Sequence, residues 1–230
     1  MKIAIMGAMP EEVAPILEKL GSYTTTEYAG NKYYEATYKG VDVVVAYSKI
    51  GKVFSTLTAT TMIEHFGCEK LLFSGVAGAV NPELKVGDLV VATKLSQHDL
   101  DISAFGHPFG YVPEGAVYVE ADQELINISK TVAQSLGKIV REGIIATGDQ
   151  FVANEERKNW IGETFNADAL EMEGGSVAVV CNALNVPFFI LRAISDAADM
   201  DASFSFDEFL ETSAIESAEF VMTMLDEIVK

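Results

Sequence analysis

The chain predicts an α/β fold, three layers deep, with a mixed and mostly parallel central sheet covered by helices on both faces. Three observations carry that expectation. Short, wholly apolar runs such as Lys2–Met9 and Pro187–Ser195 alternate with stretches of helical periodicity, and strands apolar throughout are those buried on both faces. The 230 residues are 49% hydrophobic and 22% charged, enough for a sizeable core and too apolar for disorder. No linker-like, repeated or low-complexity stretch interrupts the alternation, so residues 1–230 read as one domain.

Taken in order, Lys2–Met9 is a buried strand ended by Gly7-Ala8-Met9-Pro10. Pro10, Glu11 and Glu12 open a helix, since acids in a first turn suit the positive end of its dipole. Val13, Ile16, Leu17 and Leu20 keep its apolar face and Gly21 stops it. Tyr23–Tyr28, Lys32–Tyr38 and Val41–Tyr47 are strands punctuated by Gly30-Asn31 and Lys39-Gly40, which fits antiparallel hairpins. Lys52–Phe66 is helical; Lys70–Ser74 is a buried strand, followed by Gly75-Val76-Ala77-Gly78. The second half repeats the pattern. Asp88–Leu95, Ile139–Thr147, Ala169–Met172 and Pro187–Ser195 are strands; Asp122–Leu136, Gly174–Leu184 and Phe206–Val229 are helices. Ser96–Pro113 stands apart as a long loop rich in Gly and Pro, and long ordered loops are usually functional. Its aromatics Phe105, Phe109 and Tyr111 call for a ligand or a partner subunit to cover them.

Sixteen basic against 34 acidic residues leave a net charge of −18. So acidic a chain repels polyanions, which argues against nucleic acid and anionic membranes as partners. No run approaches the ~18 apolar residues of a membrane span. Cys68 and Cys181 lie far apart and read as reduced, buried thiols. The expected location is the cytoplasm.

In α/β sheets, ligands bind beyond the carboxyl ends of the strands. Met9, Glu11 and Glu12 follow the first strand, and Ser74 to Gly78 the fifth. Thr147 to Val152, Glu171 to Gly174, and Arg192, Ser195 and Asp196 follow three others. Glu12, Glu173 and Asp196 thus meet on one rim, where Arg192 is the one cation. Each acid also has a plain structural role open to it. Glu11 and Glu12 can cap a helix dipole, Glu171 and Glu173 can be first-turn acids, and Asp196 can cap the turn before Asp199–Asp201. Gly75-Val76-Ala77-Gly78 lacks both nucleotide-binding fingerprints, but its small residues let a flat ring or a sugar approach the backbone. His98, Asp99, Asp101 and His107 have no established metal spacing, and no metal is expected. Ser74 and Ser195 sit in no nucleophile elbow.

GAMPEEV, SKIGKV, FSGVAGA, QHDLDISAFGHPFG, TGDQFV, EMEGGSVA, RAISDAAD and SFDEFL occur in this order over nearly the whole chain. Together they resemble the 5′-methylthioadenosine/S-adenosylhomocysteine nucleosidases. The closest likeness is to the variant that also hydrolyses 6-amino-6-deoxyfutalosine on the futalosine route to menaquinone. The resemblance implies a nucleoside phosphorylase-like fold, a homodimer and no cofactor. Its implied substrates are 5′-methylthioadenosine, S-adenosylhomocysteine, 5′-deoxyadenosine and aminodeoxyfutalosine, cleaved to adenine and the 5-substituted ribose, which ties the chain to methionine salvage as well.

By the same resemblance, Glu12 activates the water that attacks C1′, Glu173 holds the ribose hydroxyls above Met172, and Asp196 protonates adenine N7. Phe151 stacks on the purine and backbone of Val152 reads its edge, with Val76, Ala77, Gly78 and Ser195 also at the substrate. Met9, Ile50 and Phe206 line the ribose and the 5′ tail, and Ile102, Phe105, His107 and Pro113 arrive from a neighbouring subunit. There are departures: many members of that family have Ser in place of Val76, and Gly174-Gly175 replaces bulkier pairs. The chemistry is coherent by itself, since carboxylates near the sugar and an acid near N7 offset the charges that develop when an N-glycosidic bond breaks. Two other readings stay open. A purine nucleoside phosphorylase needs cations for phosphate, where Pro10-Glu11-Glu12 offers none. A non-catalytic nucleoside-binding protein needs neither Glu12 nor Asp196.

Overall fold

A computed structural model describes residues 1–198 and 202–230, and its strands join in one mixed sheet. The acid-rich stretch Asp199–Asp201 lies outside the described residues. β1 (Lys2–Gly7) runs parallel to β4 (Val41–Tyr47) on one side and to β5 (Lys70–Ala79) on the other. β3 (Asn31–Tyr38) and β2 (Thr24–Tyr28) continue antiparallel beyond β4, as the two Gly-containing turns require. β6 (Leu89–Gln97) takes the two-residue β7 (Val119–Glu120) on one edge and runs parallel to β8 (Val140–Thr147) on the other. β8 in turn pairs in parallel with the short β9 (Ala169–Glu171).

β10 (Phe188–Asp196) closes the structure. It runs parallel along β5 and antiparallel to β6, while β9 returns to the far end of β5 at Gly78 and Ala79. Strands β5, β10, β6, β8 and β9 therefore form a closed circuit, a small barrel fused to the flatter part of the sheet. β5 runs on past Ser74, where the strand was expected to end: residues 75–78 stay extended because β10 pairs with them along one edge and β9 meets Gly78 on the other.

Both faces of the sheet are covered. Val13 and Ile16 of α1 (Pro10–Leu20), Leu125 and Val132 of α3 (Gln123–Leu136), and Val221 and Leu225 of α6 (Ala202–Ile228) pack on one face with Ile3, Ile5 and Leu72. Ala59 of α2 (Lys52–Thr60) and Val177, Ala178 and Cys181 of α5 (Gly174–Ala183) pack on the other with Ala4, Leu71 and Phe73. Leu71, Leu72 and Phe73 thus alternate between two buried layers, which is why the strand is apolar without a gap. Cys68 and Cys181 are free and buried, their thiols pushed up to about 12 by burial.

Some boundaries move. The helix from Lys52 changes to a wider π turn over Thr61–His65, and the closing helix begins at Ala202 rather than Phe206. Glu155–Phe165 forms α4, which apolar periodicity does not announce: Trp160, Ile161 and Phe165 alone face the core, beside the barrel. Asn154 caps it by accepting from the Arg157 N–H at 3.0 Å. In the Ser96–Pro113 stretch, Phe109 packs edge-on to Trp160 and Tyr111 stacks on His107, so the expectation of three uncovered aromatics holds for Phe105 alone, at 81% exposure. No described helix is long and apolar enough to cross a membrane.

Candidate active site

The turn after β1 builds the first carboxylate. Met9 is extended, Pro10 starts α1, and Glu12 falls at the third helical position. From there its carboxylate reaches back and accepts from the N–H groups of Ala8 (2.5 Å) and Met9 (3.0 Å), two donors the helix leaves unpaired. Its other oxygen accepts from the Val76 N–H of β5 at 3.0 Å. Capping and convergence on the rim are therefore both true of Glu12. A Cβ at Gly75 would stand 2.7 Å from that oxygen, so this approach requires glycine. Burial pushes the Glu12 carboxyl above the usual carboxylate range, against the pull of the Arg192 guanidinium and the three N–H groups.

The end of β10 supplies the second. Ile194 pairs with Ala77 and Asp196 with Gly78, so Ser195 is an extra residue that bulges the strand and re-aims Asp196. Asp196 accepts from Ser195 Oγ (2.9 Å) on one oxygen and from the Ala198 N–H (2.8 Å) on the other. A Cβ on Gly78 would meet it at 2.8 Å.

The turn from β9 into α5 supplies the third. Glu173 precedes the first residue of α5, and one oxygen accepts from the Gly51 N–H at 2.7 Å. Burial and the neighbouring Glu171 push its carboxyl up to about 8, against the Gly51 N–H and Arg192. Glu171 does different work. It accepts from Thr147 Oγ1 and the Gly174 N–H, and forms a buried ion pair with Arg192 Nη2 at 2.6 Å. Arg192 is 1% exposed and lies over the Phe73 ring. The cation expected on the rim is thus engaged beneath it.

These groups open into one cleft. Its lining includes Glu12, Glu173 and Asp196; the apolar Met9, Ile50, Val76, Ala77, Val152, Met172 and Phe206; and Gly78, Phe151 and Ser195. Phe151, 46% exposed, meets Phe206 edge-on at the mouth. Ile102, Phe105, His107 and Pro113 do not line this cleft. Ala8, Gln150, Leu170 and Glu171 also line the cleft, and sequence reasoning gave none of them a role at a substrate. For Glu171 the signal was its place two residues before Glu173, but its partners Thr147 and Arg192 become neighbours only through strand pairing.

The four residues with a superficial likeness to metal ligands do separate things. His98 is buried, and burial with Arg157 pushes it down to about 4; Asp99 pairs with Lys52; Asp101 caps the Ser103 N–H; His107 stacks on Tyr111.

Residues 2–229 match the sequence pattern of the phosphorylase superfamily. The chain belongs to that superfamily. An aminodeoxyfutalosine nucleosidase of Campylobacter jejuni is 58% identical over 228 residues, covering 99% of this chain and 100% of the relative. A 5′-methylthioadenosine/S-adenosylhomocysteine nucleosidase of Anoxybacillus flavithermus is 40% identical over the whole of both chains. The native structure of futalosine hydrolase from Helicobacter pylori strain 26695 superposes with a TM-score of 0.98 at 50% identity, covering 99% of this chain and 98% of that one. Within the superfamily the chain is a nucleosidase, and its mixed sheet with helices on both faces is the fold of that group.

Proposed function

We propose that this nucleosidase hydrolyses the N-glycosidic bond of adenine nucleosides that carry a substituent at C5′. The substrates are aminodeoxyfutalosine, 5′-methylthioadenosine, S-adenosylhomocysteine and 5′-deoxyadenosine. The observation that carries the reading is the cleft's lining: four buried carboxylates, Glu171 among them tied to Arg192, facing an apolar wall, with no Lys, Arg or His among the described lining residues. A phosphorylase must hold an anion here, and Arg192 is already paired with Glu171. Water is the nucleophile this charge pattern favours.

The proposed steps use the residues of this lining. Phe151 and Val152 take the purine, with Asp196 beside N7. Glu173 accepts from the ribose hydroxyls over Met172. As the C1′–N9 bond breaks, its electron pair goes to the base and N7 takes a proton from Asp196, so a neutral purine leaves. Water attacks C1′ and passes its proton to Glu12, whose raised pKa brings it nearer the working pH of a general base. The products are adenine and the 5-substituted ribose, or dehypoxanthine futalosine when aminodeoxyfutalosine is cleaved. Residues 1–230 act as one domain, in the cytoplasm. Release of adenine in phosphate-free buffer supports the reading; turnover that requires phosphate overturns it.

The same reading includes a homodimer. Val53, Phe54 and Leu57 expose an apolar face on α2 close to Ile50 at the cleft mouth, and Phe105 projects from its loop. In the dimer, Ile102, Phe105, His107 and Pro113 of the partner subunit close the 5′ end of the cleft.

A further inference from the structure

Helix α2 is preceded at its N-cap position by Gly51, which has no side chain to cap it and a backbone φ of 100°. The N–H groups of Gly51 and Lys52 are taken by carboxylates from distant parts of the chain. The Gly51 N–H goes to Glu173 (2.7 Å) and the Lys52 N–H to Asp149 Oδ1 (2.7 Å). A Cβ on Gly51 would stand 2.9 Å from that same Asp149 oxygen, so the packing is close. Asp149 is tied again from behind, its own N–H donating to Asp99 Oδ2 at 2.8 Å. The other Asp99 oxygen pairs with Lys52 Nζ at 2.6 Å. Lys52 thus holds Asp149 through its backbone and Asp99 through its ammonium, and the two acids hold each other. Directly after Asp149 come Gln150, Phe151 and Val152, which line the cleft.

We propose that Lys52, Asp99 and Asp149 are positioning residues that set the carboxylate of Glu173 in register with the Gln150–Val152 wall. The role rests on the nucleosidase reading above, in which Glu173 takes the ribose and that wall takes the purine. A nucleoside spans both, and free adenine touches one. An isolated surface ion pair contributes little, but this one is built into two backbone N–H contacts that join the start of α2 to the segment leading into Gln150–Val152. Burial works against the charge of Asp99, yet Lys52 and the Asp149 N–H outweigh it and hold the carboxyl below the usual range, so Asp99 stays charged at neutral pH.

The test compares Lys52→Met, Asp99→Asn and Lys52→Arg with the parent, using free adenine and an adenine C-nucleoside whose carbon–carbon bond resists hydrolysis. Lys52→Met and Asp99→Asn should keep adenine affinity within about twofold, while affinity for the C-nucleoside falls about tenfold and KM for a hydrolysable nucleoside rises with it. Lys52→Arg, which keeps the charge, should recover most of the loss. A fold defect would weaken both ligands together and lower the melting temperature. If the parent binds both ligands and Lys52→Met weakens them equally or not at all, the positioning role is wrong. A parent that neither binds the C-nucleoside nor releases adenine from a nucleoside defeats the functional reading itself.

Discussion

Glu12 sits where three backbone N–H groups converge, and that setting decides what its replacement does. Glutamine keeps the shape but has one acceptor oxygen for three donors, and it cannot take a proton from water. Glu12→Gln should stay folded and lose about 3–5 kcal/mol of transition-state stabilisation, read as a 10²–10⁴-fold fall in adenine release at saturating substrate. Asp196→Asn should fall in the same range, because an amide cannot protonate N7. Turnover near that of the parent in either variant would remove the role assigned to it. Glu173 makes a different prediction. Its carboxyl is raised to about 8 in the folded chain, so between about pH 4.5 and 8 the unfolded state has already released a proton that the folded state retains. The unliganded protein should therefore lose stability as pH rises through that window. Net self-repulsion at a charge of −18 acts in the same direction, and Glu173→Gln separates the two. Scanning calorimetry across pH should give a shallower decline for the variant; parallel curves would show that Glu173 does not titrate in this way.

At the scale of elements, β5 carries more than its apolar run announces. Gly75 and Gly78 lie in paired strand, and each leaves room for a carboxylate oxygen less than 3 Å from where a Cβ would be. Gly75→Ala should displace Glu12 from its three donors and lower kcat far more than it lowers the melting temperature. An active Gly75→Ala enzyme would mean that Glu12 has room to move without consequence. The same strand marks what sequence reading reaches. Alternation, turn residues and helix caps located most elements within a few residues, because burial on two faces and the cost of unpaired helix ends act locally. Barrel closure was not legible: it depends on β9, three residues long, meeting the end of β5. Nor was α4, whose polar surface hides its few inward residues. The rim acids were visible as residues that follow apolar strands, whereas the pairing of Arg192 with Glu171 exists only after β9 and β10 come together around β5.

At the scale of the whole molecule, the cleft opens to solvent at a mouth edged by apolar side chains. Ile50 and Phe151 at the mouth are about half exposed, and Val53 on the next turn of α2 is 75% exposed. Phe105 is 81% exposed on a loop whose other aromatics are packed within the chain. A row of large apolar side chains beside an active-site mouth is costly to leave in water, and a two-fold interface removes both patches at once. In the proposed dimer, with Phe105 and Pro113 of the partner subunit as a lid, the tail would meet an apolar surface that distinguishes poorly among substituents, since one methylene is worth about 1–3 kcal/mol. The enzyme should therefore be a dimer at micromolar concentration and accept methylthio, homocysteinyl and benzoate-bearing tails alike. Phe105→Ala should raise KM for all of them together and leave the pH profile of kcat, which reports the acids at the sugar and base, where it was. In the proposed dimer Val53→Asp would place a charge in the interface, so it should shift the protein towards monomer in sedimentation and lose activity in the same proportion. A fully active monomer would place the tail pocket within a single chain, and strict rejection of all tails but one would show that the lid is selective rather than merely apolar.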